Sequence, residues 1–276
     1  LLRNTKDWKL DVNANIAYNK NVVVKLPNNG LERNRQNAFQ VYDPKTKELV
    51  WVGGYQQGQT PGDMYAFIAD GIYRSEAEVQ QYAAKLKDIS TGNNGSNSKP
   101  LYGPEAWATS KKDGYPIQPG DVRWRDINGD GVIDNYDQGY VGNSIPKWTG
   151  GFNTTLSWKG LSLYARFDYA LGHSQMDNTR PWFMGAMQGT YNSLNDTKNT
   201  WTESNPNAEY PKYYWADQLG KRNYARSSSM FVYKASYLCF REVSLSYRLP
   251  ESLLSKIGLS DVVLSVTGQN LGYISN

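Results

Sequence analysis

Residues 148–171 read W-T-G-G-F-N-T-T-L-S-W-K-G-L-S-L-Y-A-R-F-D-Y-A-L and alternate between apolar and polar side chains. Side chains of a strand point alternately to opposite faces, so this pattern predicts two two-faced strands, 148–158 and 161–171. Between them, Lys159-Gly160 predicts a two-residue hairpin turn. Each strand has the length of about 9–11 residues that crosses a bilayer. The stretch therefore predicts a transmembrane β-hairpin.

The same alternation recurs in three more places, which predicts strands near 8–19, 232–249 and 261–270. The parity of the apolar positions changes near Arg241, which predicts a β-bulge or the membrane boundary there. Val263 blurs the alternation of the last strand. All five strands together predict an all-β chain.

The connections between these strands are of two kinds, short turns and long loops. The hairpin turn is minimal, and the connection at 250–260 is short, with Pro250 beginning one or two helical turns. By contrast, 20–147 and 172–229 are long excursions. Short turns on one side and long extracellular loops on the other are typical of transmembrane barrels. Within the first loop, Ser75 begins a capping box that predicts a short surface helix.

Composition narrows the function classes. Aromatic residues make up 13% of the chain, with 21 Tyr and 9 Trp, as in barrels with aromatic girdles and in carbohydrate-binding proteins. The net charge is +4 without a basic run, which argues against nucleic-acid binding. The single cysteine, Cys239, and the single histidine, His173, exclude an internal disulfide and a multi-His metal centre. We predict no catalytic residues and do not expect an enzyme.

The sharpest motif is D-I-N-G-D-G-V-I-D-N-Y-D at 126–137, which matches the spacing of an EF-hand calcium loop. Gly131 permits the sharp bend, and Ile133 is expected to anchor the loop against hydrophobic neighbours. Calcium favours six to eight oxygen ligands. The predicted ligands are Asp126, Asn128, Asp130, Val132 through its carbonyl, Asp134 and Asp137.

Two features qualify the calcium prediction. Position 12 is Asp137 rather than Glu, and this shorter arm weakens bidentate ligation. Flanking helices are not evident, so an isolated loop is expected rather than a paired sensor. The alternative is a turn rich in Asp, Asn and Gly that binds no metal.

Two further groups of residues are candidates for contacts with a transported molecule. Arg166 and Asp168 lie on the polar side of a predicted membrane strand, which faces the lumen of a barrel. A set of aromatic residues in the second long loop either binds substrate by stacking or forms the loop's own core. This set comprises Trp182, Phe183, Trp201, Tyr213, Tyr214 and Trp215.

A longer pattern surrounds the calcium-like loop. It reads P-G-D-V-x-W-x-D-x-N-G-D-G-x-I-D-x-x-D-Q from Pro119 and continues as G-x-x-x-P-x-W-x-G-G-F from Gly142. Further pieces are W-x-x-x-x-N-x-x-x-x-Y-N-K-N from Trp8, D-G-I-Y from Asp70, A-S-Y-L with R-E-V-S-L-S-Y from Ala235, and G-Q-N-L from Gly268. In this order they resemble SusC/RagA-type TonB-linked outer-membrane proteins, over nearly the whole chain.

The resemblance implies a fold and a function. Members are large plugged barrels of the 22-stranded type, so we expect residues 1–276 to be the C-terminal part of an antiparallel transmembrane β-barrel with long extracellular loops. They import glycans or peptides across the bacterial outer membrane, driven by the TonB complex and beneath a SusD-like surface lipoprotein. The plug domain and the strands that close the barrel are expected to lie outside this chain.

Two alternatives from other classes remain at this point. A secreted, calcium-stabilised β-sandwich that binds carbohydrate also suits the aromatic and calcium-like loops. It predicts that the apolar strand faces are buried between two sheets. A glycan hydrolase requires a pair of catalytic carboxylates, which the sequence does not reveal.

Overall fold

The computed structural model describes residues 3–5, 7–83, 86–89, 98–100, 117–186, 192–214 and 222–275, and β-strands predominate. The strands are, in chain order, β1 (Arg3–Asn4), β2 (Trp8–Tyr18), β3 (Phe39–Asp43), β4 (Glu48–Val52), β5 (Asp63–Phe67), β6 (Ala69–Ile72), β7 (Lys87–Ile89), β8 (Ser98–Pro100), β9 (Val122–Trp124), β10 (Val132–Ile133), β11 (Gln138–Asn143), β12 (Trp148–Trp158), β13 (Leu161–Leu171), β14 (Ser174–Met176), β15 (Val232–Lys234), β16 (Tyr237–Arg248) and β17 (Val263–Ser275). The α-helices are α1 (Glu76–Ala83), α2 (Thr179–Pro181) and α3 (Glu251–Leu254). Short 3-10 turns lie at Glu32–Asn34, Asn135–Asp137, Asn195–Asn199, Ser229–Phe231 and Ser255–Ile257, and a π-turn at Trp182–Ala186. The all-β class is confirmed.

Six strands form one antiparallel sheet in the order β1-β2-β12-β13-β16-β17. Strands β12 and β13 pair from Trp158↔Leu161 to Trp148↔Leu171 without a break. Lys159 and Gly160 both have positive φ, 46° and 89°, as a type I′ turn requires. The predicted hairpin is confirmed. The sheet belongs to a compact unit of 1–21, 143–174 and 234–276.

The sheet has one apolar face and one polar face. Cross-strand rows place rings together on the apolar face: Trp8 stacks on Trp158 at 5.6 Å between centroids, and Phe167 lies 4.5 Å from Phe152 and 4.9 Å from Phe240. Many side chains of this face are exposed, among them Ile16 at 69% and Val266 at 78%. The core of a sandwich would bury them, so the exposure does not support the sandwich alternative. The apolar face comprises, in part, Trp8, Leu10, Val12, Ile16, Tyr18, Trp148, Phe152, Leu156, Trp158, Leu161, Leu163, Phe167, Tyr169, Leu171, Leu238, Phe240, Leu245, Tyr247, Leu264 and Val266.

The predicted bulge at Arg241 is confirmed. The register with β13 shifts between Arg166 and Phe167, and the register with β17 shifts between Phe240 and Glu242. Because the extra residue resets the alternation, Phe240 returns to the apolar face and Glu242 to the polar face.

Both long connections leave the sheet at the same end. Antiparallel pairing brings Tyr18 opposite Trp148, and the partner strand ends at Leu171 beside Tyr237. The hairpin turn and the α3 connection, which begins at Pro250 as predicted, lie at the other end. The sheet thus has the asymmetry of turns and loops that the sequence indicated. No helix in the described ranges is long and apolar enough to cross a membrane.

The long connections fold into a second compact unit, 22–142 with 175–233, rather than remaining simple loops. It contains short sheets, β3-β4, β5-β11, β6-β9 and β10-β7-β8, and several small hydrophobic clusters. The predicted surface helix is α1, whose Val79 and Ala83 are fully buried beside Tyr73 and Ile117. Sequence periodicity missed most of this unit because its strands are short.

Candidate functional site

The polar face of the sheet carries the first candidate site. Asp168 accepts two hydrogen bonds from Arg241. Arg241 donates a third hydrogen bond to Asn270 Oδ1 at 2.8 Å. The bulge therefore brings a guanidinium onto the face that the sequence assigned to Arg166 and Asp168. Sequence reasoning missed Arg241 as a site residue, although the parity break at this position was its signal.

A groove of about 450 Å³ crosses this polar face at the glycine pair of β12. Gly151 has no side chain and so leaves room there between the longer side chains of its partners on the neighbouring strands, Asn15 and Asp168. Asn15 accepts the Gly151 N–H at 2.6 Å, and Asn13 donates to Asn153 at 3.3 Å. The other polar residues that line the groove are Tyr164, Arg166 and Asp168. The surface suits contact with hydrated, polar molecules.

The second candidate site is the calcium-like loop. Asp126 accepts the N–H groups of Gly129 and Gly131, both at 2.8 Å, and Asp130 accepts the N–H of Val132 at 2.7 Å. Gly129 and Gly131 have φ of +75° and +81°, which turns the chain sharply. The loop therefore makes the sharp bend that the motif predicts, and its carboxylates accept hydrogen bonds from backbone N–H groups.

Asp137 closes this loop from inside. Its two oxygens accept the N–H groups of Ile127 and Asp134, each at 2.8 Å, and Oδ1 also lies 3.4 Å from the N–H of Asn128. Burial raises the pKa of Asp137 to about 6, although these backbone hydrogen bonds favour the carboxylate. This closing role was not predicted.

The loop is anchored as expected and has the donor chemistry of a hard cation site. Ile133 is 1% exposed and packs with Phe67, Val122 and Trp124. Asp126, Asn128, Asp130, Asp134 and the Val132 carbonyl supply oxygens only, which suits calcium. In the described part of the chain, however, no three His, Cys, Asp or Glu side chains converge as a metal-binding group.

The P-G-D-V-x-W motif that precedes the loop is held in place by contacts with residues that are distant in sequence. Asn223 accepts the Val122 N–H at 3.0 Å and donates to Asp121 at 3.1 Å. Gly120, with φ of +98°, lies so close to the Trp201 ring that a Cβ would be 2.6 Å from it. These contacts explain Gly120 and Asp121 of the motif without any ligand.

The structure separates the predicted aromatic set. Trp182 and Tyr213 are exposed, and Phe183 is at the edge of exposure. Trp201 is 6% exposed and packs with Ile72 and Ala208, so its ring belongs to the core of the unit. Tyr214 is half-buried with Lys212 Nζ 5.5 Å from its ring centre, and Trp215 lies outside the described residues.

The chain is similar in sequence to two TonB-dependent receptors. The chain is 27% identical over 266 residues to TonB-dependent receptor P3 of Formosa agariphila, covering 96% of this chain and 22% of that receptor. It is 26% identical over 156 residues to TonB-dependent receptor P26 of the same organism, covering 56% of this chain and 15% of that receptor. The resemblance to a SusC/RagA-type TonB-dependent receptor is confirmed.

Solved structures with a similar fold cover nearly the whole of this chain. The RagAB peptide transporter matches with a TM-score of 0.57 at 20% identity, over 99% of this chain and 24% of the matched chain. The RagAB peptide importer in its open-open state matches with a TM-score of 0.55 at 21% identity. The segment therefore spans about a quarter or less of each relative. No protein-family model matches the sequence.

Proposed function

We propose that this segment forms part of the wall of an outer-membrane TonB-dependent importer. The observation that carries the proposal is the two-faced sheet, with strands of 11 to 13 residues, an exposed apolar face and a polar face with a groove. Lipid contacts the apolar face, and the polar face lines the lumen, where Arg166 and Asp168 lie. The aromatic rings near both ends of the strands fit the two bilayer interfaces.

The whole receptor, in this proposal, is a 22-stranded barrel that imports glycans or peptides without covalent chemistry. TonB supplies energy through regions outside this chain, and a SusD-like lipoprotein covers the extracellular side. The end of the sheet from which both long connections leave is assigned to that side. Among the aromatic candidates, Trp182, Phe183 and Tyr213 are the exposed ones and are assigned to substrate contact.

Spin labels on neighbouring positions of β13 test the orientation of the sheet. In the full-length receptor with Cys239→Ala, Leu163→Cys and Ser162→Cys place labels on opposite faces. In outer-membrane vesicles, the Leu163 label should collide with lipid-soluble oxygen and the Ser162 label with a water-soluble nickel complex. Protection of both labels from both reagents would indicate a buried core and reject the importer wall.

We also propose that the loop at 126–137 binds Ca²⁺. The support is the match of the motif to the calcium-loop spacing and the all-oxygen donor set. Asp126, Asn128, Asp130, Asp134 and the Val132 carbonyl would hold the ion, with Asp137 as the sixth ligand. Binding requires the carboxylates to turn from backbone N–H groups toward the ion or to share their oxygens between both.

Calorimetry on the full-length receptor tests this site with calcium itself. We expect heat of binding for the wild type, a clear loss for Asp126→Ala, and no loss for Asp261→Ala, an acidic residue far along the chain. The absence of heat, or equal heat for all three proteins, would reject the calcium site and leave the importer proposal intact.

A further inference from the structure

One row of polar side chains crosses four neighbouring strands of the sheet at the groove. Its members pair directly across β2, β12, β13 and β16 in the order Asn13, Asn153, Arg166 and Glu242. Directly opposite side chains have Cβ atoms about 4.5–5.5 Å apart, so neighbours in the row can act on one ligand together. Asn13, Asn153 and Arg166 line the groove.

The next row on the same face supplies the open space of the groove. There Gly151 pairs with Asn15 on one side and with Asp168 on the other. Because Gly151 has no side chain, the backbone of β12 is the floor of the groove at this point. Arg166 is two residues from Asp168 in β13 and so projects from the same face. A group of a few atoms above Gly151 therefore lies within reach of Arg166.

The amides around this space keep their donor groups available. Asn15 Oδ1 accepts the Gly151 N–H at 2.6 Å, and Asn153 Oδ1 accepts a hydrogen bond from Asn13 Nδ2 at 3.3 Å. A side-chain amide has one accepting oxygen and two N–H donors. The amide nitrogens of Asn15 and Asn153 donate to none of the described residues. The groove therefore favours a ligand that accepts hydrogen bonds.

One guanidinium of the groove has its donors available as well. Both oxygens of Asp168 accept hydrogen bonds from Arg241, so this carboxylate is already matched by another cation. Arg166 is exposed, and its guanidinium makes neither a hydrogen bond nor an ion pair with the described residues. Glu242, directly opposite Arg166, lies outside the lining of the groove. Arg166 is thus the cation with which a ligand in the groove can pair.

We propose that Arg166, together with the amides of Asn15 and Asn153, binds a carboxylate group of the imported molecule. The inference rests on the proposed import function and narrows its substrate class to molecules that carry a carboxylate. The planar guanidinium offers parallel N–H groups that match the two carboxylate oxygens. The amide N–H groups donate to the remaining lone pairs. A peptide C-terminus, an acidic side chain and an acidic sugar share this chemistry.

Calorimetry on the full-length receptor tests the proposal with two matched pairs of probes. One pair is N-acetyl-tetra-alanine and its C-terminal amide, and the other is digalacturonate and its dimethyl ester. We expect the acid of at least one pair to bind about tenfold more tightly than its neutral counterpart, as charge-assisted hydrogen bonds imply. A preference in the first pair indicates peptides, and one in the second indicates acidic glycans. Equal binding within both pairs, or no binding of any probe, would overturn the proposal.

Variants locate the preference at the groove. Arg166→Gln should abolish it, and Arg166→Lys should retain only part, because the charge remains without the planar fork. Asn153→Asp has nearly the same shape and places a carboxylate directly opposite Arg166, so it should also abolish the preference. The control is Arg248→Gln, at the end of β16 near the hairpin turn, which should leave the preference unchanged.

Two results with these variants would contradict the assignment. One is a preference that survives in both Arg166→Gln and Asn153→Asp, and the other is an equal loss in Arg248→Gln. The spin-label result on β13 does not depend on any carboxylate. A receptor that passes the spin-label test and fails this one is therefore an importer wall whose groove does not select carboxylates.

Discussion

The Arg241 guanidinium donates two hydrogen bonds to the Asp168 carboxylate, at 2.6 Å from Nε to Oδ1 and 2.9 Å from Nη2 to Oδ2. The two residues lie on neighbouring strands at the point where an extra residue enters β16. A fork-shaped pair of this kind fixes geometry as well as charge. The pair therefore holds the bulge in one register, and with it the return of Phe240 to the apolar face.

Breaking this pair should loosen the last two strands. Arg241→Met removes the two Arg241 hydrogen bonds to Asp168, and we expect a lower melting temperature of the full-length protein in detergent, with faster hydrogen exchange in β16 and β17. The exchanged pair, Asp168→Arg with Arg241→Asp, should recover part of the loss. Unchanged exchange in Arg241→Met would show that the bulge is held by backbone pairing alone.

Gly120 should tolerate alanine much less well than Gly71. Both have strongly positive φ, +98° and +118°, but only Gly120 has a ring within reach of a Cβ. Backbone strain alone costs about 1–2 kcal/mol, and overpacking against Trp201 adds about 1–3 kcal/mol. Hydrogen exchange around 117–124 under increasing urea measures the difference. Equal destabilisation by Gly120→Ala and Gly71→Ala would contradict the contact with Trp201.

The strands of the sheet were predictable because their pattern is local. Alternation fixed β12 and β13 to the residue, and the parity break located the bulge at Arg241. The last strand, expected at 261–270, runs to Ser275, because pairing with β16 extends it beyond the part whose side chains alternate clearly. The expected strand at 232–249 is divided into β15 and β16.

The second unit was less predictable because its contacts are remote in sequence. Asn223 supports Val122 across 101 residues, and no local pattern announces such a pair. The burial of Trp201 likewise depends on Gly120 and Ala208. Gly120 is distant from Trp201 in sequence, and no sequence pattern marks Ala208 as a core residue. Motif spacing found the calcium-like loop and its Ile133 anchor, but the closing role of Asp137 required coordinates.

Asp137 should be sensitive even to replacement by its amide. In Asp137→Asn, one side-chain atom becomes an N–H donor that faces a backbone N–H, either of Ile127 or of Asp134. An unsatisfied buried donor costs about 1–3 kcal/mol, so the loop should lose protection against hydrogen exchange. Asn135→Ala, at an exposed neighbour, serves as the control. Similar protection in the two variants would mean that Asp137 does not close the loop.

Two buried tyrosines should respond in opposite directions to loss of their hydroxyl. The Tyr73 hydroxyl is buried and has no hydrogen-bond partner among the described residues, whereas the Tyr224 hydroxyl donates to the Pro211 carbonyl at 2.6 Å. Tyr73→Phe removes an unsatisfied polar group and should stabilise the second unit by about 1 kcal/mol, and Tyr224→Phe should destabilise it by about as much.

The dependence of the folding stability on pH in the alkaline range tests the prediction for Tyr73. Burial raises the pKa of Tyr73 to about 12, from an ordinary value of 10.0, so the folded state favours the neutral phenol. The folded state therefore retains the proton longer than the unfolded state, and this contribution to stability is present below pH 10 and is lost as the pH rises through about 12. Urea midpoints, followed by hydrogen exchange of α1, should fall with pH in the wild type and fall less in Tyr73→Phe. Parallel curves for the two proteins would show that the Tyr73 hydroxyl reaches water in the folded state.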